Sequence, residues 1–152
     1  MGVMEIALRK ATVADVPEIV AMLADDVLGA TRENPADPAP YLAAFERIAA
    51  DPNQHLLVAE RDGRTVGTLQ LAILHGLSRR GASRALIEAV RVRSEERGAG
   101  IGGRLIRLAV EEARRQGCAL VQLTSDATRK DAHRFYERLG FAATHVGFKM
   151  QL

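Results

Sequence analysis

Apolar and polar residues change their period several times along the chain, and each change predicts an element. From Met4 to Arg9 they alternate, with Ile6 and Leu8 set against Glu5, Ala7 and Arg9, which reads as a strand. Asp15-Val16-Pro17-Glu18 reads as a helix start, with Asp at the cap, Pro in the first turn and Glu three residues on. Val16, Ile19, Val20 and Leu23 then fall on one helical face. A second helix is expected from Pro40 to Ala50, with Leu42, Phe45, Ile48 and Ala49 inward. Leu56 to Arg61 and Thr65 to Leu74 read as strands around an Asp62-Gly63 hairpin turn, and Ser83 to Arg93 as a third. Ile101 to Gln116 is a helix with Ile101, Leu105, Leu108 and Ala109 on one face, stopped by Gly117. Ala119 to Leu123 reads as a short buried strand. Thr128 to Leu139 reads as a helix with a Thr128/Asp131 capping box, a stripe of Ala132, Phe135, Tyr136 and Leu139, and Gly140 as its stop. Phe141 to Leu152 reads as a final strand. The order β-α-α-β-β-β-α-β-α-β predicts an α+β domain. Its sheet is mostly antiparallel, with parallel pairing only around the 100–117 helix.

Composition narrows the class. The 152 residues suit one domain, 1–152, and the balance of 47% apolar to 26% charged residues excludes a disordered tail, a fibre or a coiled coil. No stretch approaches the length of a membrane span, and Glu5 and Arg9 interrupt what would be the apolar part of a signal peptide. The single cysteine, Cys118, forms neither an internal disulfide nor a zinc cage, so a reducing, cytoplasmic setting is expected, with Cys118 in the core. A formal charge of +2 does not argue for nucleic acid. The four histidines, His55, His75, His133 and His145, lack metal-ligand spacing, so no metal is expected; His75 and His133 read as solvated.

The chemistry sits between a strand and a helix. Arg97-Gly98-Ala99-Gly100-Ile101-Gly102-Gly103-Arg104 follows a strand and opens a helix. Glycines let main-chain N–H groups converge, and a helix start adds unpaired donors and about half a positive charge. Together they suit a phosphate or diphosphate, with Arg97 and Arg104 adding charge on either side. A P-loop would need Lys followed by Ser or Thr, whereas Arg104-Leu105 follows Gly103. Gly98, Gly100 and Gly103 match the dinucleotide fingerprint only formally, because Arg93 to Arg97 separate them from the strand. Glu95 and Glu96 must point away if an anion is to bind.

The arrangement R-x-x-G-x-G at Arg97, Gly100 and Gly102 resembles the acetyl-CoA diphosphate loop of the GCN5-related N-acetyltransferase superfamily. Glu88 to Val92 resembles its central strand. Asp131-Ala132-His133-Arg134-Phe135-Tyr136-Glu137-Arg138-Leu139-Gly140-Phe141 is similar to its second signature, A-x-x-F-Y-x-x-x-G-F. The resemblance implies a V-splayed sheet flanked by helices, with Ala85–Arg93 and Ala119–Thr124 as the splayed pair. It implies acetyl-CoA as cosubstrate, held by Val90, Val92, Arg97, Gly98, Ala99, Gly100, Ile101, Gly102, Gly103, Arg104 and Tyr136. Where many members carry Asn, this chain has Arg129.

Direct transfer of acetyl to a primary amine needs a neutral amine, an oxyanion donor and a proton for the thiolate. Keeping an alkylamine neutral at pH 7 is the largest demand, roughly 4–5 kcal/mol for an amine of ordinary pKa. Glu88 is the candidate base, since it interrupts the row Leu86, Val90 and Val92; a bulge near Ala89 would reverse that facing. Tyr136 is the proton donor implied by the resemblance, and a main-chain N–H near Val92 the oxyanion donor. The acceptor, a small-molecule or peptide amine, would meet Val27 to Tyr41 and the Leu74–Ser83 loop, where Asp25, Asp26, Glu33 and Asp37 would suit a cation. Arg79, Arg80, Arg84, Arg91 and Arg93 could attract the cofactor's 3′-phosphate. A homodimer is plausible through the last strand. The competing reading is a non-catalytic acyl-CoA-binding or sensing domain.

Overall fold

The structure, a computed structural model, describes residues 5–152, so the Met4 end of the first expected strand lies outside the described residues. The chain forms two compact units, Met1–Gln122 and Leu123–Leu152. In the first, β1 (Ala7–Lys10), β2 (Gln54–Arg61), β3 (Arg64–Leu74), β4 (Arg84–Val92) and β5 (Leu120–Gln122) lie side by side in that order. β1 to β4 are antiparallel, and β5 joins β4 in parallel. The helical elements are α1 (Val16–Ala24), α2 (Gly29–Arg32), α3 (Ala39–Ala50), a short turn α4 (Ser78–Gly81) and α5 (Ile101–Arg115). The second unit contains α6 (Lys130–Arg138). The fold is α+β with a mixed, mostly antiparallel sheet, as the element order predicts.

Local chemistry explains the well-placed elements. Asp62 and Gly63 both have positive φ, 52° and 75°, the geometry that turns a tight hairpin with the twist of its strands. The α5 stripe Ile101, Leu105, Ile106, Ala109 and Ala113 is fully buried, with Leu108 only partly covered. On the opposite sheet face Val58 packs with Ala11, Ile19 and Met22, and Phe45 of α3 joins them. α3 rests on β2 and α1 along a narrow stripe, so Leu42 and Ala49 are exposed rather than inward.

Three other expectations are corrected. Asp15 does not cap α1 with its side chain. Its carboxylate instead accepts from the Thr12 N–H at 2.7 Å and is gripped by both terminal nitrogens of Arg9, each at 2.8 Å. β5 is half-exposed rather than buried, because among the described residues it is paired on one side only. Phe141 to Leu152 is not a strand, since a ladder needs a partner and this segment has none among the described residues.

The Arg9 cluster carries a stability prediction. Arg9 also donates to Glu60 at 2.7 Å, joining β1 to β2. Hydrogen bonds from Arg9 hold the Asp15 carboxyl well below the usual carboxylate range, against the opposing effect of burial. A carboxyl depressed in this way stabilises the fold above its unfolded pKa of about 3.9 and loses that contribution as the pH falls through the folded value. Asp15→Asn is therefore expected to remove about 2 kcal/mol at pH 7, after allowance for the partial exposure of Arg9. The gap between wild type and variant should begin to narrow below the unfolded value and close only near the folded one, so at pH 3 it is smaller but still present. Urea unfolding at pH 7 and at pH 3 checks both statements.

Candidate active site

β4 is irregular where the chemistry was expected. Gln70 pairs with Glu88 and Thr68 with Arg91, so two residues of β4, Ala89 and Val90, oppose Leu69. Ala89 sits at φ 55°, the mark of a bulge in a non-glycine residue. The bulge reverses the facing of everything after it. Glu88 lies with Leu86 and Arg91 on the face of Thr68 and Gln70, where α1 and α3 pack. Val92 lies instead with Ile87 and Ala85, opposite Gly67, on the α5 face. The expected single row of Leu86, Glu88, Val90 and Val92 is thus broken, and Glu88 is exposed rather than set among apolar neighbours. Gly67 is needed at this point: a Cβ there would lie 3.0 Å from the Arg91 carbonyl and 3.3 Å from the Leu105 side chain.

Beyond Leu86 the other edge of β4 has no strand partner among the described residues, because β5 pairs only with Arg84, Ala85 and Leu86. Two main-chain carbonyls on this stretch are met by arginines. Arg91 donates to the Val90 carbonyl at 2.9 Å, and the Arg97 Nε donates to that of Val92 at 3.2 Å. Arg97 also donates to the Asp25 carbonyl at 3.1 Å and pairs with its carboxylate at 3.6 Å. Arg91 pairs with Asp26 at 2.9 Å, and the other Asp26 oxygen accepts from the Gly29 N–H at 2.5 Å. Asp25 and Asp26 are therefore not a free acidic lining for a cationic amine. They tie the end of α1 to β4 and the glycine turn. Glu33 accepts from the Tyr41 hydroxyl at 3.0 Å.

The glycine turn has the geometry an anion needs. Gly98 and Gly100 have φ of 85° and 81°, with nothing within 4 Å of where a Cβ would stand. Gly100 caps α5, and the first helical bond runs from the Arg104 N–H to the Gly100 carbonyl at 3.2 Å. The Ile101, Gly102 and Gly103 amides precede it and have no carbonyl of the helix to bond. The Arg104 Nε is enclosed and has no hydrogen-bond partner among the described residues. Glu96 turns towards Arg61 at 3.7 Å and Arg64 at 4.0 Å, and Glu95 accepts from Ser94, so neither is drawn into a bond with the turn. Arg93 donates to the Thr65 carbonyl at 2.7 Å and pairs with Glu18, leaving it little freedom to attract a phosphate.

In the second unit Tyr136 lies between two aromatic edges, its ring 5.1 Å from that of Phe135 and 6.0 Å from that of Phe141. The expected Thr128/Asp131 capping box is replaced. Thr128 bonds Asp126 through both its N–H and its hydroxyl, and α6 begins at Lys130. The His133 ring is half-buried and bonds the Asp126 carbonyl at 2.8 Å, so it braces the loop rather than facing solvent. Thr128, Arg129, Lys130, Asp131 and Ala132 line a cavity of about 410 Å³. His75 bonds the Ser83 hydroxyl at 2.7 Å across the β3–β4 connection. Cys118 is half-buried rather than fully in the core, and burial pushes its thiol pKa up, which disfavours a nucleophilic thiolate.

Sequence comparison decides the family. The model of the Acetyltransferase (GNAT) family matches residues 20–141. The chain belongs to the GNAT family. This GNAT chain is 33% identical over 148 residues to the aminoalkylphosphonate N-acetyltransferase of Salmonella typhimurium, covering 95% of this chain and 90% of that one. It is 28% identical over 141 residues to the L-methionine sulfoximine/L-methionine sulfone acetyltransferase of Pseudomonas aeruginosa, covering 91% and 81%. The crystal structure of a transcriptional regulator from Bacillus halodurans C-125 matches it with a TM-score of 0.92 at 46% identity, covering 97% of this chain and 100% of that one. As a GNAT enzyme it is an N-acetyltransferase, and GNAT acetyltransferases take the acetyl group from acetyl-CoA.

Proposed function

We propose that both units act as one catalytic domain, which binds acetyl-CoA along the open β4 edge and transfers its acetyl group directly to a small primary amine. The observation that carries this reading is the bulge at Ala89, followed by an unpaired strand edge that runs into a left-handed glycine turn at the head of α5. An extended amide chain adds to such an edge as a peptide does. Val90 and Val92 offer its backbone partners, and the arginines that now meet their carbonyls would give way. The amides from Gly98 to Gly103, with Arg97 and Arg104, receive the diphosphate. Arg97 acts there only after leaving Val92 and Asp25. When bound, acetyl-CoA supplies the activated acyl thioester. A main-chain N–H near Val92 would meet the oxygen as it gains charge. Glu88 removes a proton from the amine, through water given its exposure, and Tyr136 returns a proton to the leaving thiolate.

The acceptor is proposed to be a small amine that also carries an anionic oxygen-rich group. The names of the Salmonella and Pseudomonas relatives describe such molecules. In this chain Asp25 and Asp26 are already paired, which disfavours a polycationic acceptor. Arg79 and Arg80 are exposed in the β3–β4 connection, both at positive φ and without an ion pair among the described residues. The lone half-buried cysteine suits a cytoplasmic setting. No described helix is long and apolar enough to cross a membrane.

Turnover of acetyl-CoA over a panel of aminoalkylphosphonates, amino acids, amino-sugar phosphates and polyamines tests the reading. Activity on anionic small amines supports it, and binding of acetyl-CoA without turnover of any amine favours a sensing domain. Tyr136→Phe is expected to lower kcat about 10-fold with KM nearly unchanged, because a thiolate is already a fair leaving group. The phenyl ring keeps the packing against Phe135 and Phe141. An unchanged kcat would make Tyr136 a packing residue.

A further inference from the structure

A charged side chain that loses water is normally paired, because an unpaired one keeps the cost of desolvation and gains nothing in return. Among the described residues three arginines have an enclosed Nε without a hydrogen-bond partner: Arg84, Arg91 and Arg104. Two of them have a counterpart elsewhere. Arg91 lies against Asp26, and Arg104 stands at the glycine turn. Arg84 is only partly exposed, yet it has neither an ion pair nor a side-chain hydrogen bond among the described residues. The diphosphate does not account for it, since Arg84 opens β4 and the glycine turn follows the other end of that strand.

The sheet register places a second unmatched charge on the same face. Arg84 pairs with Leu74 and Leu120, Leu86 with Ala72 and Gln122, and Glu88 with Gln70. Arg84, Leu86 and Glu88 therefore share one face, opposite to the buried Ala85 and Ile87 and ahead of the bulge at Ala89. Glu88 likewise has no ion pair or hydrogen bond among the described residues. The cation and the anion stand two strand repeats apart, roughly 13 Å between their main-chain positions. They do not bond each other, but two long side chains can shorten that span to the few bonds between the ends of a small zwitterion. Leu86 lies between them, opposite an apolar spacer. Gln70, bonded to Gln54 at 2.9 Å, and Gln122 supply neutral polar groups beside the strip.

We propose that Arg84 is the specificity-determining residue of the acceptor site, and that it binds the anionic end of a short amine whose nitrogen meets Glu88. The inference rests on the reading of Glu88 as the group that meets the amine. The acceptor is then a short-chain amine ending in a carboxylate or a phosphonate, since the planar guanidinium fork matches either oxyanion with paired hydrogen bonds. Unlike Arg79 and Arg80 in the exposed connection, Arg84 is held in the ladder between β3 and β5, so strand register fixes its distance from Glu88. A neutral or doubly cationic amine leaves the enclosed Arg84 unmatched, and that cost selects against it.

The test is turnover of acetyl-CoA by the full chain with β-alanine, aminoethylphosphonate, propylamine and diaminopropane. Wild type should favour the two anionic amines in kcat/KM. Arg84→Met should lower kcat/KM for both by roughly 10- to 100-fold, the effect of losing a hydrogen bond to a charged group, and leave propylamine and the KM for acetyl-CoA unchanged. Arg84→Lys keeps the charge without the fork and should fall between the two. Arg84→Glu should turn the preference towards the diamine, a reversal that a merely structural arginine would not give. If Arg84→Met does not fold, the preference must still fall in Arg84→Lys. Glu88→Gln should keep the preference among amines whether or not it cuts kcat, which separates the two roles. If no amine is turned over, the transferase reading fails and calorimetry with the two anionic amines in the presence of coenzyme A decides Arg84 alone. Heat in wild type that Arg84→Met abolishes upholds the site, and no heat overturns it. Equal losses on anionic and neutral amines, or a wild type indifferent to the anionic end, also overturn the proposal.

Discussion

Gly100→Val is expected to lower kcat/KM for acetyl-CoA at least about 100-fold, a loss equal to about two charge-assisted hydrogen bonds to the diphosphate. Gly100 caps α5 at φ 81°, a conformation in which a side chain costs about 1–2 kcal/mol. Nothing within 4 Å would collide with the new Cβ in the free enzyme. The variant can therefore fold either by keeping the strained turn or by flipping it. Flipping redirects the amides proposed to hold the diphosphate. Keeping it sets an isopropyl group against the incoming diphosphate. Either response falls on the cofactor rather than on the core. Gly63→Val is the matched control. Gly63 has φ 75° with equally open space, but it sits in the β2–β3 hairpin. The control should melt a few degrees lower and keep its KM for acetyl-CoA. Equal losses of affinity in both variants would show that general destabilisation, and not the glycine turn, is being measured.

What the sequence made legible was local. Asp62-Gly63 specifies its turn by conformation alone, and Gly117 and Gly140 stop their helices at φ 82° and 101°. Neither depends on distant residues. The α5 stripe was legible for the same reason, because a helical face is written in consecutive turns. The glycine turn was legible because glycine spacing records backbone freedom directly.

The parts that escaped depend on residues far apart. Nothing in the local sequence pairs Arg91 with Asp26 or Arg97 with Asp25, 72 positions away. Those pairs turned two carboxylates from a candidate amine pocket into anchors for the end of α1. Asp26 is the positioning residue that pattern reading missed, since an acidic helix end is common for ordinary reasons. The Ala89 bulge did leave a trace. Ala85 and Ile87 are buried, and an unbroken strand would put Arg91 and Arg93 on that same face. Two arginines in a buried row signal a break in parity, and the bulge resolves it by bringing Val92 inward. The final segment shows the opposite limit. Alternation there predicts a strand, yet no ladder forms among the described residues, because a pattern states what a segment can pair with and not where its partner lies.

Glu88→Gln is expected to reduce kcat about 100-fold at pH 7, within the range that a positioned general base supplies. The amide has nearly the shape of the carboxylate and can still hold a water, but it accepts no proton. Because Glu88 is exposed and shares its face with Thr68, Gln70 and Arg91, exchanging it should leave the melting temperature within about a degree, as for surface changes elsewhere. The decisive reading is the dependence on pH. An alkylamine of ordinary pKa, about 10.4, becomes about tenfold more neutral for each unit of rising pH, so the need for a base shrinks steadily. The deficit of the variant should narrow by a similar factor per unit until the free amine alone sustains the reaction. Glu88→Asp separates the chemical role from mere charge. It keeps the carboxylate but draws it back by one methylene, and should recover most of the rate if a water relays the proton. A variant whose kcat follows the wild type at every pH would make Glu88 a solvent-facing strand residue. The bulge would then serve the oxyanion alone, and the amine would need to arrive already neutral.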